Sequence, residues 1–153
     1  VMIPELPADI LDKLDRRIAA SEMAGWLNLS VIRKDNQLIY TLGFDEAHIG
    51  NPVIRAIHGG VVSTFLETAS WYEAYARLPE DVDINVTSVH TNFLRSTTPT
   101  DVYASVSIHR LGRRFGFLEA TCWQEDRDKP VATAETGIRI KRPDEKSSLA
   151  GKT

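Results

Sequence analysis

The chain has 153 residues, 42% of them apolar and 25% charged, with 18 Lys+Arg against 21 Asp+Glu for a formal charge of -3. That is the make-up of one globular domain able to bury a core unaided, and the charge balance excludes a general attraction to nucleic acid while leaving room for a local basic patch. The one cysteine, Cys122, excludes an intrachain disulfide and a thiolate metal site, and fits a reducing, cytoplasmic compartment. No basic segment followed by an apolar run opens the chain, and no apolar stretch approaches the ~20 residues of a membrane helix, so neither a leader nor a membrane span is expected.

After Pro4 and Pro7, the residues Ile10, Leu11, Leu14 and Ile18 recur at helical spacing with charges between them, which predicts an amphipathic helix ending near Gly25. Residues 26–33 and 38–44 alternate apolar and polar and predict two strands joined by a hairpin turn at Lys34–Gln37. Residues 45–58 read as a loop. Gly59 to Leu78 predicts a second helix, apolar nearly all round and so buried, stopped by Pro79. Four strands follow, at about 84–95, 101–111, 114–125 and 130–141. In the third, Leu118, Ala120 and Cys122 face one way and Phe117, Glu119 and Thr121 the other. Residues 1–142 are expected to form a single domain and 143–153 a polar, disordered tail. Consecutive strands with short turns give an antiparallel sheet, so the class is α+β, a curved sheet wrapped around one buried helix, with an extra helix at the N-terminus.

Two features ask for a chemical explanation. His58-Gly59-Gly60 lies where a loop becomes a helix. Glycines are poor helix formers there, but they let a ligand approach the backbone, and the free N–H groups of a helix start suit a carbonyl gaining negative charge. The second is Glu67, set among Phe65, Leu66, Ala69 and Trp71. Burial would raise its pKa and suit it to acid–base work near neutrality. Ser63, one turn before it, and Ser70 and Trp71, one turn after, lie near its face as candidates to border a cavity, although a bond from Ser70 to Glu67 or the backbone is the plainer use.

Here the chain resembles the hotdog-fold thioesterases, in particular the phenylacetate-pathway-like branch. The resemblance rests on Asn51, then His58-Gly59-Gly60, then Glu67 nine residues after the histidine. The strand end Asn92-Phe93-Leu94-Arg95, the turn Gly112-Arg113-Arg114 and the strand Val131–Ala134 are also similar, so that it covers about residues 26 to 141. Asn51 stands seven residues before His58, where the pattern has six. The resemblance implies hydrolysis of an acyl-CoA thioester to free acid and CoA, without metal or other cofactor, CoA being part of the substrate. It implies that the Gly59 N–H polarises the carbonyl, that Glu67 acts as nucleophile or as general base, and that Asn51 positions the reactants. A hydroxyl on the first strand after the helix, Thr87 or Ser88, is implied as a substrate contact. His58 is expected to shape the site and Gly60 and Ser63 to border the substrate. Arg95, Arg113 and Arg114 are candidates for the CoA phosphates.

Gly59 and Glu67 are eight residues apart on one helix, a rise of roughly 12 Å, so one carbonyl does not reach both in one chain. Two subunits of a homodimer, alone or within a dimer of dimers, would supply one group each. The plainer readings are a Glu67 paired to Arg55 or Arg95, an Asn51 that only makes a turn, turn arginines that are only solvated, Trp71, Tyr72 and Tyr75 as core, and Cys122 as inert core. The rival functions are a non-catalytic acyl-CoA binding module and a hotdog dehydratase or hydratase, which needs a histidine in a Pro-rich turn that this chain lacks.

Overall fold

The computed structural model describes residues 3–145. The N-terminal helical stretch breaks in two. Helix α1 runs Ile10–Ala19 and buries Ile10 and Leu14. Helix α2, Glu22–Trp26, restarts because the Ser21 side chain accepts the Ala24 N–H at 3.2 Å and caps it. Gly25 therefore lies inside α2 rather than ending a helix, and the strand expected from residue 26 begins only at Leu29. Between them Asn28 takes a left-handed conformation, φ 49°, and its side-chain amide donates to the Gly43 carbonyl.

Strands β1 (Leu29–Lys34) and β2 (Gln37–Leu42) form the expected hairpin, with Asp35-Asn36 as its two-residue turn and Asp35 at φ 58°. The stretch read as a loop holds a 3-10 helix at Glu46–His48 and a small hairpin of β3 (Ile49–Asn51) with β4 (Ala56–Ile57). Helix α3 then spans Gly59–Arg77, 19 residues, followed by β5 (Asp83–Phe93), β6 (Val102–Leu111), β7 (Phe115–Trp123) and β8 (Ala132–Lys141).

The six long strands form one antiparallel sheet in the order β1-β2-β6-β7-β8-β5. Helix α3 lies against its inner face, over Ala104, Ala120, Cys122, Ala134 and, further along, Leu118 and Ile138. Small side chains at the centre let the helix sit close to the strands, and Phe65, Leu66 and Val62 fill the space, each fully buried. This is the hotdog arrangement. Strand β5 pairs only with β8, so among the described residues its other edge is open over 11 residues. The chain is ordered past Arg142: residues 143–145 make a helical turn, with Glu145 bound by Arg139 at 2.8 Å and Asp144 by Arg113 at 3.1 Å. The rest of the expected tail lies outside the described residues.

The buried acid of α3 is Glu73, not Glu67. Only 2% exposed, Glu73 accepts the Tyr40 hydroxyl at 3.2 Å and the Arg77 Nε–H at 3.1 Å, and Arg77 also donates to the Pro4 carbonyl. Burial pushes the Glu73 carboxyl above the ordinary 4.5, against the pull of Arg77. A carboxyl with a raised folded-state pKa binds its proton more tightly when folded. Glu73 thus contributes stability that is complete below its unfolded value and is lost as pH rises from about 4.5 through the raised value. Glu73→Gln has no such loss. Denaturation at about pH 4 and about pH 7 is expected to show the variant gaining on wild type at the higher pH, whatever its offset from the altered Arg77 bond. An offset equal at both pH values would refute this assignment.

Candidate active site

The start of α3 is fixed from three sides. His58 is the N-cap residue, and its Nδ1 accepts the Gly60 N–H at 2.8 Å. The Val61 and Val62 N–H groups both turn back to the His58 carbonyl. Of the donors in the first turn, the Gly59 N–H is left without an acceptor among the described residues. The backbone N–H of His58 in turn donates to the His48 carbonyl at 2.9 Å.

His48, which no motif singled out, is the anchor of this loop. It is fully buried, accepts the Asp45 N–H at Nδ1, and its Nε2 lies 2.9 Å from the Trp26 carbonyl. With Nδ1 an acceptor, the ring proton sits on Nε2 and the ring ties the loop to α2. A fully buried histidine has no signature in a single sequence, so nothing local announced it. Gly50 completes the packing: a Cβ there would lie 2.8 Å from the Cα of His58.

Glu67 sits two turns further along α3. It is half-buried rather than buried, and it makes no hydrogen bond or ion pair among the described residues. The partners considered for it are elsewhere: Arg55 pairs with Glu46 through two bonds of 2.7 and 3.2 Å, and Arg95 lies in the exposed segment after β5. Instead Glu67 opens onto a cavity of about 690 Å³ between α3 and the α1–α2 pair. Thr64, Thr68, Trp71 and Tyr72 of α3 line it with Glu67, facing Arg17, Ser21 and Met23, with Val86 of β5 at one side. A second cavity of about 420 Å³ reaches His58 and Gly60 and shares Met23 and Thr64 with the first. A groove therefore runs along α3 from its N-terminus to Glu67.

Several expected residues lie elsewhere. Ser63 turns to the sheet, 2.7 Å from the Thr91 hydroxyl, and Thr64 and Thr68 stand beside Glu67 in its place. Ser70 is buried and bonds the Leu66 carbonyl. A bulge between Val86 and Ser88 turns the Thr87 and Ser88 hydroxyls together over Gly137, on the outer face of the sheet, so neither reaches the Glu67 cavity of its own chain. The Asn51 Oδ1 accepts the Val53 and Ile54 N–H groups and makes an exposed turn. Arg113 and Arg114 face Asp144 and Glu145 at 3.1 and 3.7 Å. They lie beside Phe115, which pairs with Arg139, whereas Phe93, against Gly59, pairs with Ala132. Seven residues of strand, roughly 23 Å, separate those two ends within one chain. Cys122 is buried in the sheet, and burial pushes its thiol up to about 12, so it is inert core.

This fold belongs to a known class. Residues 49–137 match the family of acyl-CoA thioesterase N-terminal domains, and the chain is a member of that family of thioester hydrolases. Among solved structures it is similar to a thioesterase from Haemophilus influenzae, at 19% identity over 92% of this chain and 96% of that one, with a TM-score of 0.77. It is similar also to a phenylacetic acid degradation-related protein from Ralstonia eutropha, at 20% identity over 82% and 98% of the two chains, TM-score 0.73. A protein from Bacillus halodurans solved with CoA aligns at 19% identity over 88% and 92%, TM-score 0.72. At these identities the likeness is one of fold. No curated protein matches the sequence. Among the described residues no helix is long and apolar enough to cross a membrane.

The contact between Gly50 and His58 gives a direct test of how the helix start is held. In Gly50→Ala the new methyl meets backbone, which does not swing aside, so β3 or His58 must shift. Chemical denaturation is expected to show a loss of about 1–3 kcal/mol. A variant as stable as wild type would show that the loop is not packed as described.

Proposed function

We propose that this chain hydrolyses acyl-CoA thioesters with Glu67 of one subunit and the Gly59 N–H of another acting on the same carbonyl. The observation that carries this reading is the state of Glu67: a carboxylate on the most apolar helix, with no partner among the described residues, open to a cavity. A half-buried carboxylate on this helix without an ion pair adds nothing to the packing, and its use is chemical. The Gly59 N–H, left free while His58 caps its neighbour, supports a place for the carbonyl oxygen.

The atoms balance as follows. Glu67 takes a proton from water as the water oxygen attacks the carbonyl carbon, or its own oxygen attacks first and water then opens the resulting anhydride. The C–S bond breaks, and the CoA sulfur leaves and takes up a proton. Negative charge on the carbonyl oxygen is met by the Gly59 N–H.

The sharing of the site follows from length. Gly59 and Glu67 lie on the continuous helix α3 with a rise of roughly 12 Å between them, against the ~3 Å reach of a hydrogen bond. The open edge of β5, ending in the exposed Phe93 and Leu94, supports a second copy as the neighbour. Two-fold antiparallel pairing along that edge would bring the Arg113–Arg114 end of one subunit towards the Phe93 end of the other. Arg95 and those arginines would then share the CoA phosphates.

Glu67→Gln is expected to lower kcat by about 10²–10⁴-fold with the fold intact, read by steady-state kinetics on the best acyl-CoA. Turnover within about threefold of wild type would remove Glu67 from the mechanism. Mixing Glu67→Gln chains with Gly59→Val chains under conditions of subunit exchange is expected to restore activity to about a quarter of wild type, since half the dimers are mixed and each keeps one intact site. Demonstrated exchange without recovery would mean either that both residues serve one chain's site or that the two do not cooperate, and would refute the shared arrangement.

A further inference from the structure

We propose that the cavity beside Glu67 is the acyl pocket and that Arg17 of α1 selects acyl groups whose far end is anionic, that is, mono-CoA thioesters of short dicarboxylic acids. The proposal rests on the assignment of Glu67 to the thioester carbonyl and extends it to the substrate class.

Arg17 and Glu67 line the same cavity. The guanidinium carbon of Arg17 lies 5.4 Å from the centre of the Trp71 ring and 5.8 Å from that of Tyr75. Those rings stack on each other at 5.2 Å, and the Trp71 Nε1–H is fixed by the Ile84 carbonyl at 2.9 Å. The cation is thus held on an anchored aromatic platform rather than sweeping solvent. Its N–H fork nevertheless meets no carboxylate or other acceptor among the described residues. Lys13, one turn earlier on α1, does: it donates to the Tyr75 carbonyl and lies 4.0 Å from Glu80. Among the described residues Glu67 is the only acid lining this cavity; Arg17 also borders a neighbouring cavity of about 500 Å³ that Glu80 and Asp83 line.

Distance sets the length of the acyl group. Trp71, under the guanidinium, is one helical turn beyond Glu67, about 6 Å along the axis. An extended chain advances ~1.3 Å per carbon for C–C bonds of about 1.5 Å, so roughly five or six carbons join a carbonyl at Glu67 to a carboxylate at Arg17. Met23, Tyr72 and Val86 offer apolar walls to the methylenes between. A neutral chain end would leave the fork facing hydrocarbon. A carboxylate would take it in two parallel charge-assisted bonds. Helices α1 and α2 precede residues 49–137, so this selector stands outside the part of the chain that matches the family.

The test compares adipyl-CoA with hexanoyl-CoA, equal in carbon count and different only in the terminal carboxylate. Wild type is expected to favour adipyl-CoA in kcat/KM by about tenfold, and Arg17→Gln to bring the ratio near unity. Arg17 is exposed, so the variant is expected to keep its melting temperature, which is measured alongside. Inert analogues of both thioesters, with CH₂ in place of sulfur, are bound in parallel by calorimetry to wild type, Glu67→Gln and Arg17→Gln. The adipyl preference is expected to persist in Glu67→Gln and to vanish in Arg17→Gln. No preference in wild type, or a preference that survives Arg17→Gln, overturns the proposal and leaves hydrolysis standing. An Arg17-dependent binding preference in a protein that hydrolyses neither thioester upholds the selector and overturns the thioesterase mechanism.

Discussion

A helix that is apolar on nearly every side must be covered on nearly every side, and the covering of α3 organises this molecule. The sheet takes one flank, where Ala104, Ala120 and Ala134 let the helix lie close. Strands β1 and β2 and the first helices take much of the rest, through Tyr40, Leu38, Leu14 and Leu27. What remains is a strip along α3 that no element among the described residues closes, and it carries Thr64, Glu67 and Thr68. The candidate site lies where the covering stops. Burying a carboxylate without a partner would cost several kcal/mol, whereas leaving it on an open strip costs little.

The same helix begins where it does because its first turn is bound to the loop before it. His48 is buried against Trp26, its carbonyl holds the His58 N–H, and His58 caps Gly60. This chain of bonds links α2 to the start of α3 and decides which of the first donors is spent and which stays free. Stability and chemistry meet here in one set of contacts. Gly50 and Gly60 are needed for close approach of His58, the first to its backbone and the second to its ring.

Two glutamates of α3 show how tertiary surroundings divide one side-chain chemistry into two uses. Glu73 faces the core, where Tyr40 and Arg77 satisfy it and desolvation raises its pKa. It ties the helix to β2 and, through Arg77 and Pro4, to the N-terminal segment. Glu67, six residues earlier and so about 120° round the helix, looks into the groove. The acid with every marker of burial is structural, and the acid without a partner is the candidate for reaction.

The sequence by itself determined the order of the long elements, the central helix to within a residue of its end, the inward face of β7 and the spacing of His58, Gly59 and Glu67. Each is a matter of local period or local turn chemistry, which neighbouring residues settle among themselves. It also placed the two groups of the site about 12 Å apart, because helix rise needs no tertiary information. Only the tertiary structure decided which glutamate is buried: Glu67 and Glu73 lie on the same apolar helix, and which side of it meets the sheet depends on strands far along the chain. The bulge beside Thr87 was invisible for a related reason, since it arises from pairing between β5 and β8, and it turned two expected hydroxyls to the outer face. The break between α1 and α2, the anchoring of His48 and the position of Arg17 across a cavity from Glu67 are long-range contacts of the same kind. Residues that meet across a fold leave no period in the sequence, and it is these meetings that shape the pocket.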